Sequence, residues 1–174
     1  MASETIKALD GINLNIPAGE RVILLGPSGS GKTTLLNCIS GLDMPTGGTY
    51  SFDGNPVIGS SEDLTTFRRK NVGYVFQFFN LLQDLTVLEN VLLIQELSGQ
   101  RDIGRAKEVL TLVGLKDEMN RFPSEISGGQ QQRVAIARSI AKNPKLLLGD
   151  ELTGNLDTET SVRVMEVLIE ACKK

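Results

Sequence analysis

Histidine is absent from the 174 residues, and no aromatic residue precedes Tyr50. Any site in this chain is therefore built without an imidazole, and the stretch before Tyr50 offers no ring to stack on. The only cysteines, Cys38 and Cys172, make no disulfide framework. No apolar run approaches the ~20 residues that a membrane-spanning helix needs. The N-terminal MASETIKALDG lacks the apolar core of a secretory signal. Basic residues form no stripe and the net charge is −3, which argues against a nucleic-acid duplex as partner. Together these absences point to a cytosolic protein. What is present is ordinary for a soluble globular chain, 40% hydrophobic and 22% charged. The length suits one domain with room for a small subdomain, and is enough to bury a core.

Strand and helix patterns alternate along the chain. GINLNI alternates apolar Ile12, Leu14 and Ile16 and reads as a half-buried strand. RVILLG is a continuous apolar run that reads as a buried strand. KTTLLNCIS follows as a helix, with Gly41 placed to stop it. TGGTYSFDG and NVGYVFQ read as further strands. Thr86 and Glu89 form a capping-box pattern ahead of VLENVLLIQEL, a helix apolar on more than one face. RAKEVLTLVG puts Ala106, Val109, Leu110 and Val113 at helical spacing, with Gly114 as a stop. SGGQQQRVAIARSIAKNP is a helix that Pro144 ends, and KLLLG is the next buried strand. TETSVRVMEVLIEACKK closes the chain as a helix with Met165, Leu168 and Cys172 on one face. This alternation predicts an α/β fold on a mainly parallel sheet.

Two stretches carry chemistry. GPSGSGKTT contributes Gly26, Pro27, Ser28, Gly29, Ser30, Gly31, Lys32, Thr33 and Thr34. It matches the G-x-x-x-x-G-K-S/T phosphate loop, with an apolar strand before it and a helix pattern after it. Glycines let backbone N–H groups wrap a phosphate, and the start of the following helix adds partial positive charge. Lys32 supplies a cation for the β and γ phosphates of ATP, and the Thr33 hydroxyl is a hard oxygen ligand suited to Mg²⁺. Downstream, KLLLGDELTGNLD ends an apolar strand in adjacent Asp150 and Glu151. Two neighbouring carboxylates repel unless a cation lies between them. The pattern resembles P-loop NTPases, in which such a strand carries an acid for the same Mg²⁺. That resemblance assigns Asp150 to the metal, and Glu151, pointing the other way, to the attacking water.

SGGQQQR, Ser127 to Arg133, needs a further explanation. It resembles the signature motif of ABC transporter ATPases. The order of phosphate loop, YVFQ with Gln77, signature, LLLGDE and GNLD agrees with that family over nearly all the chain. GPSGSGKTTLLN, VGYVFQFFNLL, LTVLENV and ISGGQQQRVAIARSIAKNP look most like its lipoprotein-release and macrolide-export branch. The resemblance implies a P-loop NTPase, RecA-like core with a small antiparallel β part and a helical subdomain. Residues 1–77 and 128–174 would be the catalytic core and 78–127 the helical subdomain that docks onto an integral membrane permease. It also implies two ATP sandwiched between two copies in a head-to-tail dimer. Ser127, Gly128, Gly129 and Gln130 would face the γ-phosphate held by the other copy, Gln77 would join the Mg²⁺ shell, and Asp157 would lie at the dimer seam. Glu151 would be the general base and Lys32 the electrostatic stabiliser. The place would be the inner face of the cell membrane, through the permease.

Three departures from the family pattern stand out. The upstream aromatic that stacks on adenine is missing. Leu152 replaces a usual proline, which implies a looser placement of Glu151. The family's further strand and its γ-phosphate-contacting histidine have no counterpart, which implies a truncated chain with an incomplete sheet. The leading expectation is the ATP-binding and ATP-hydrolysing subunit of an ABC transporter. The alternative is a nucleotide-binding remnant that holds Mg-ATP with little or no hydrolysis. A soluble relative acting in translation or repair is a third reading, disfavoured because it would usually need two cassettes or coiled-coil arms.

Overall fold

The computed structural model describes residues 7–150, 152 and 158–171. Four of its helices begin on side-chain caps that the sequence supplies. Helix α1, Lys32–Ser40, starts at Gly31 and ends at Gly41, both left-handed with φ of 87° and 73°. Helix α2, Ser61–Asn71, opens on a capping box between Ser60 and Asp63. The sequence pattern left this helix unread, although Ser60 and an acid three residues on are its signal. Helix α3, Val87–Leu97, opens on the Thr86–Glu89 box, and α4, Ile103–Leu112, on Asp102, which accepts from the Arg105 N–H. Helix α5, Gly128–Ile140, opens on Ser127 with Gln130, and α6 spans Thr158–Ala171.

Two small sheets accompany them. Strands β1, Ser51–Phe52, and β2, Asn55–Pro56, form an antiparallel hairpin, turned by Asp53 and Gly54 at positive φ. Strands β3, Val72–Val75, and β4, Leu146–Gly149, pair in parallel, Val72 with Leu146 through Val75 with Gly149. A parallel pair needs a long crossover, and here α3, α4 and α5 supply it. The α/β class expected from the alternation is therefore realised.

The larger core cluster joins α3, α4 and α5 to Val75 of β3 and to Val164 and Leu168 of α6. Helix α3 packs against both α4 and α5, which accounts for its apolar residues on more than one face. Its two buried polar side chains are satisfied. Asn90 donates to the carbonyls of Leu82, Leu85 and Thr86, and Gln95 joins Ala141 to Asp102. A smaller cluster of Leu36, Val72 and Leu148 lies between α1 and the parallel pair, with Leu24 and Tyr74 against it.

Two expected strands do not form. Ile12, Leu14 and Ile16 lie in irregular, exposed chain. The run before the phosphate loop is also not buried: Ile23 and Leu25 are 80% and 89% exposed, and only Leu24 reaches the smaller cluster. Among the described residues no strand pairs with 22–25. Apolar character had marked these segments as strands, but a strand exists only through a neighbour's N–H and C=O groups. On the closing helix Leu168 is buried while Met165 is 38% exposed, and Cys172 lies outside the described residues.

Candidate nucleotide site

The phosphate loop folds into an open cradle at the start of α1. Gly29 and Gly31 have φ of 79° and 87°. At Gly31 a side chain is excluded twice over, since a Cβ would also lie 2.4 Å from the Ala8 carbonyl oxygen. No side chain caps α1. The first N–H groups of a helix have no partner within it, and here no side chain supplies one. Lys32 Nζ turns back into the loop, donating to the carbonyls of Gly26 at 2.8 Å and Pro27 at 2.9 Å.

The second acid-bearing stretch meets this cradle. Thr33 Oγ1 donates to Asp150 Oδ2 at 2.7 Å, across 117 positions of sequence. Asp150 is fixed at the end of β4 by its own N–H, which donates to the Val75 carbonyl at 3.0 Å. Gln77 is exposed two residues beyond Val75, at the same end of the parallel pair. Ligands of open α/β sheets gather at this carboxyl end of the strands. Beneath it, the Tyr74 hydroxyl donates to Asn37 of α1 at 3.2 Å. Burial, and then the nearby Asp150 carboxylate, push the Tyr74 phenol up to about 12, so it stays a neutral donor that ties β3 to α1. The sequence reading missed Tyr74 and Asn37; only their meeting in space reveals them.

The signature residues form a separate helix terminus. Ser127 Oγ accepts from the Gln130 N–H at 3.3 Å, and Gln130 Oε1 accepts from the Ser127 N–H at 2.8 Å. Ser127 and Gly128 are exposed. Among the described residues no hydrogen bond links Ser127, Gly128, Gly129 or Gln130 to the phosphate loop of the same chain. Leu152, the off-pattern residue, is half-buried against the larger core cluster, and its carbonyl accepts from Gln132 Nε2 at 3.2 Å. Glu151 and Asp157 lie outside the described residues. No helix among the described residues is long and apolar enough to cross a membrane.

Comparison with known proteins gives these features a family. Residues 9–154 match the ABC transporter family. An uncharacterised ABC transporter ATP-binding protein of Mycobacterium tuberculosis is 49% identical over 172 residues, covering 97% of this chain and 69% of the relative. The lipoprotein-releasing system ATP-binding protein LolD 2 of Chlorobaculum tepidum is 46% identical over 179 residues, covering 97% of this chain and 72% of that protein. Among solved structures, the dimeric post-hydrolysis state of the ATP-binding cassette MJ0796 bound to ADP and Pi superposes with a TM-score of 0.90 at 44% identity. That match covers 97% of this chain and 76% of the other. With its phosphate loop, acid-ended strand and signature helix in these positions, the chain belongs to the ABC transporter family, as an ATP-binding ATPase cassette.

Proposed function

We propose that the chain is the subunit that binds and hydrolyses ATP to power a transporter whose membrane-spanning part is a separate permease. The observation that carries this reading is the 2.7 Å bond between Thr33 and Asp150. It brings a phosphate loop and a metal-binding type of acid to one point. The backbone amides from Gly26 to Thr34 hold the phosphates, and Lys32 stabilises the charge that develops on transfer. The Thr33 and Asp150 oxygens are the hard donors a Mg²⁺ ion takes together with substrate phosphates, and Gln77 lies at the same sheet end to complete that shell. A Mg²⁺ ion held there with ATP would supply positive charge to offset that of the phosphates. Glu151 takes the proton of the attacking water as general base.

The exposed start of α5 serves the other copy of the chain. Ser127, Gly128, Gly129 and Gln130 present a helix N-terminus to the γ-phosphate held there, with Asp157 at the seam. The dimeric MJ0796 cassette, bound to ADP and Pi, supports this arrangement. Residues 1–77 and 128–174 act as the catalytic core and 78–127 as the part that docks on the permease, at the cytoplasmic face of the membrane. Relatives named for lipoprotein release support export or extraction of a lipid-linked cargo.

Turnover of Mg-ATP by this chain, beside Lys32→Ala and Glu151→Gln at equal ATP, tests the reading. The parent should hydrolyse at least ~100-fold faster than Glu151→Gln. Equal rates would refute hydrolysis and leave a chain that only binds the nucleotide.

A further inference from the structure

We infer that Tyr74 and Asn37 are positioning residues that set the gap between Thr33 and Asp150, and so select Mg²⁺ over the larger Ca²⁺; this rests on the metal role proposed for Thr33 and Asp150. Helix α1 is lightly held by apolar packing. Only Leu36 and Ser40 along it are buried, and Leu36 meets Val72 and Leu148. Two polar contacts add to this on one face of the helix, one turn apart. Thr33 Oγ1 donates to Asp150 Oδ2 at 2.7 Å, and Asn37 Oδ1 accepts from the Tyr74 hydroxyl at 3.2 Å. The Asn37 amide is oriented for its contact, because its Nδ2 donates to Asp43 Oδ2 at 3.2 Å. Asp43 is itself held by its N–H, which donates to the Asn37 carbonyl at 3.2 Å. The Tyr74 ring is seated independently of its hydroxyl, stacked on Phe76 with centroids 4.1 Å apart and packed against the smaller core cluster.

Both oxygens are therefore referred to one strand. Asp150 is fixed on β3 through its N–H, which donates to the Val75 carbonyl at 3.0 Å. Tyr74, the preceding residue of β3, fixes α1 on the same strand. Thr33, Asn37, Tyr74, Val75 and Asp150 thus close a ring in which the Tyr74 hydroxyl is one link. The gap matters because of ion size. Oxygens on one edge of an octahedral Mg²⁺ site, about 2.0–2.1 Å from the ion, lie about 2.9 Å apart, whereas about 2.3–2.6 Å to Ca²⁺ spreads them to about 3.3–3.7 Å. The observed 2.7 Å separation suits the smaller ion. Without the Tyr74 hydroxyl, α1 is held to β3 at one polar point fewer, and arrangements with a wider gap gain population by the worth of one hydrogen bond. A wider gap disfavours Mg²⁺, which demands near-ideal geometry, and is tolerated by Ca²⁺.

Titration of the full chain with a fluorescent, non-hydrolysable ATP analogue in Mg²⁺, in Ca²⁺ and in EDTA tests this. Tyr74→Phe keeps the ring and removes the hydroxyl. Its affinity in Mg²⁺ should fall about 3- to 10-fold, the equivalent of one hydrogen bond, with affinity in Ca²⁺ and in EDTA within about twofold of the parent. The preference for Mg²⁺ over Ca²⁺ shrinks accordingly, which a general loss of stability would not produce. Equal losses in Mg²⁺ and Ca²⁺, or no loss in either, would overturn the inference. Asn37→Ala removes the acceptor and should reproduce the shift, and it decides the matter if Tyr74→Phe does not fold. The double variant should lose no more than Asn37→Ala alone; additive losses would show two side chains acting separately and rule the shared link out. Thr33→Val separates this inference from the reading beneath it. If Thr33→Val binds as tightly as the parent in Mg²⁺, the metal role of Thr33 is refuted. If it loses Mg²⁺-supported affinity while Tyr74→Phe does not, only the positioning role fails.

Discussion

At the scale of single residues, Thr33 and Lys142 make the sharpest statements. Thr33→Val keeps the shape at the start of α1 and removes the oxygen that meets Asp150. Hydrogen bonds and ligand contacts to charged groups contribute roughly 1.5–3 kcal/mol. ATP affinity in the presence of Mg²⁺ should therefore drop about 10- to 100-fold, while affinity in EDTA changes little; titration with a fluorescent ATP analogue reads both. Lys142 donates from just after α5 to the carbonyls of Arg68 and Arg69, near the end of α2, at 2.7 and 3.0 Å. Burial pushes its ammonium down to about 8 from the usual 10.5. Below that value the folded and unfolded chains both carry the proton, and the folded state bears the desolvation cost. Between about 8 and 10.5 the folded state has released it and the unfolded state has not, so stability rises with pH. Urea midpoints at pH 7 and pH 10 should shift in favour of the parent relative to Lys142→Met; a constant difference would contradict this.

Between elements, helix α5 does more than carry the signature. Arg138, three turns along it, donates to the carbonyls of Asn80 at 2.6 Å and Phe79 at 2.9 Å. At the helix start the Phe79 ring lies 3.9 Å from where a Gly128 Cβ would be. The loop that follows Gln77 is thus hydrogen-bonded near the end of the signature helix and lies close to its start. Arg138→Ala would leave two carbonyls of that loop without their donor and should cost about 2 kcal/mol in urea unfolding, with Arg138→Lys recovering part of it. The helices themselves were legible from local signals. The Thr86–Glu89 box and Gly114 marked ends that the fold keeps, because capping depends on residues three or four apart. Helix α2 escaped notice for want of an apolar stripe; its only buried residue is Leu64.

For the molecule as a whole, the unequal treatment of apolar runs matters most. VGYV and LLLG pair with one another, whereas 22–25 pairs with nothing among the described residues and stands largely exposed. Native-state hydrogen exchange should therefore be slow for Val72 to Val75 and Leu146 to Gly149 and fast for Val22 to Leu25. Protection of 22–25 in the monomer equal to that of the parallel pair would show a neighbour that the fold does not contain. Nucleotide bound to the loop should slow exchange at Lys32, Thr33 and Thr34, because their amides would then be donating to phosphate.

The phosphate loop, the acid pair and the signature were readable in sequence because each is a local chemical requirement: glycines for backbone access, a lysine and a threonine for charge and oxygen, a serine to cap a helix. The family followed from their order along the chain. The tertiary structure decided which apolar runs become strands, since a ladder needs a partner that no single segment specifies. It also decided that Thr33 meets Asp150 and that Gln132 reaches Leu152. These contacts span 117 and 20 positions, and separations of that kind are set by how the core packs, not by any pattern in the intervening residues.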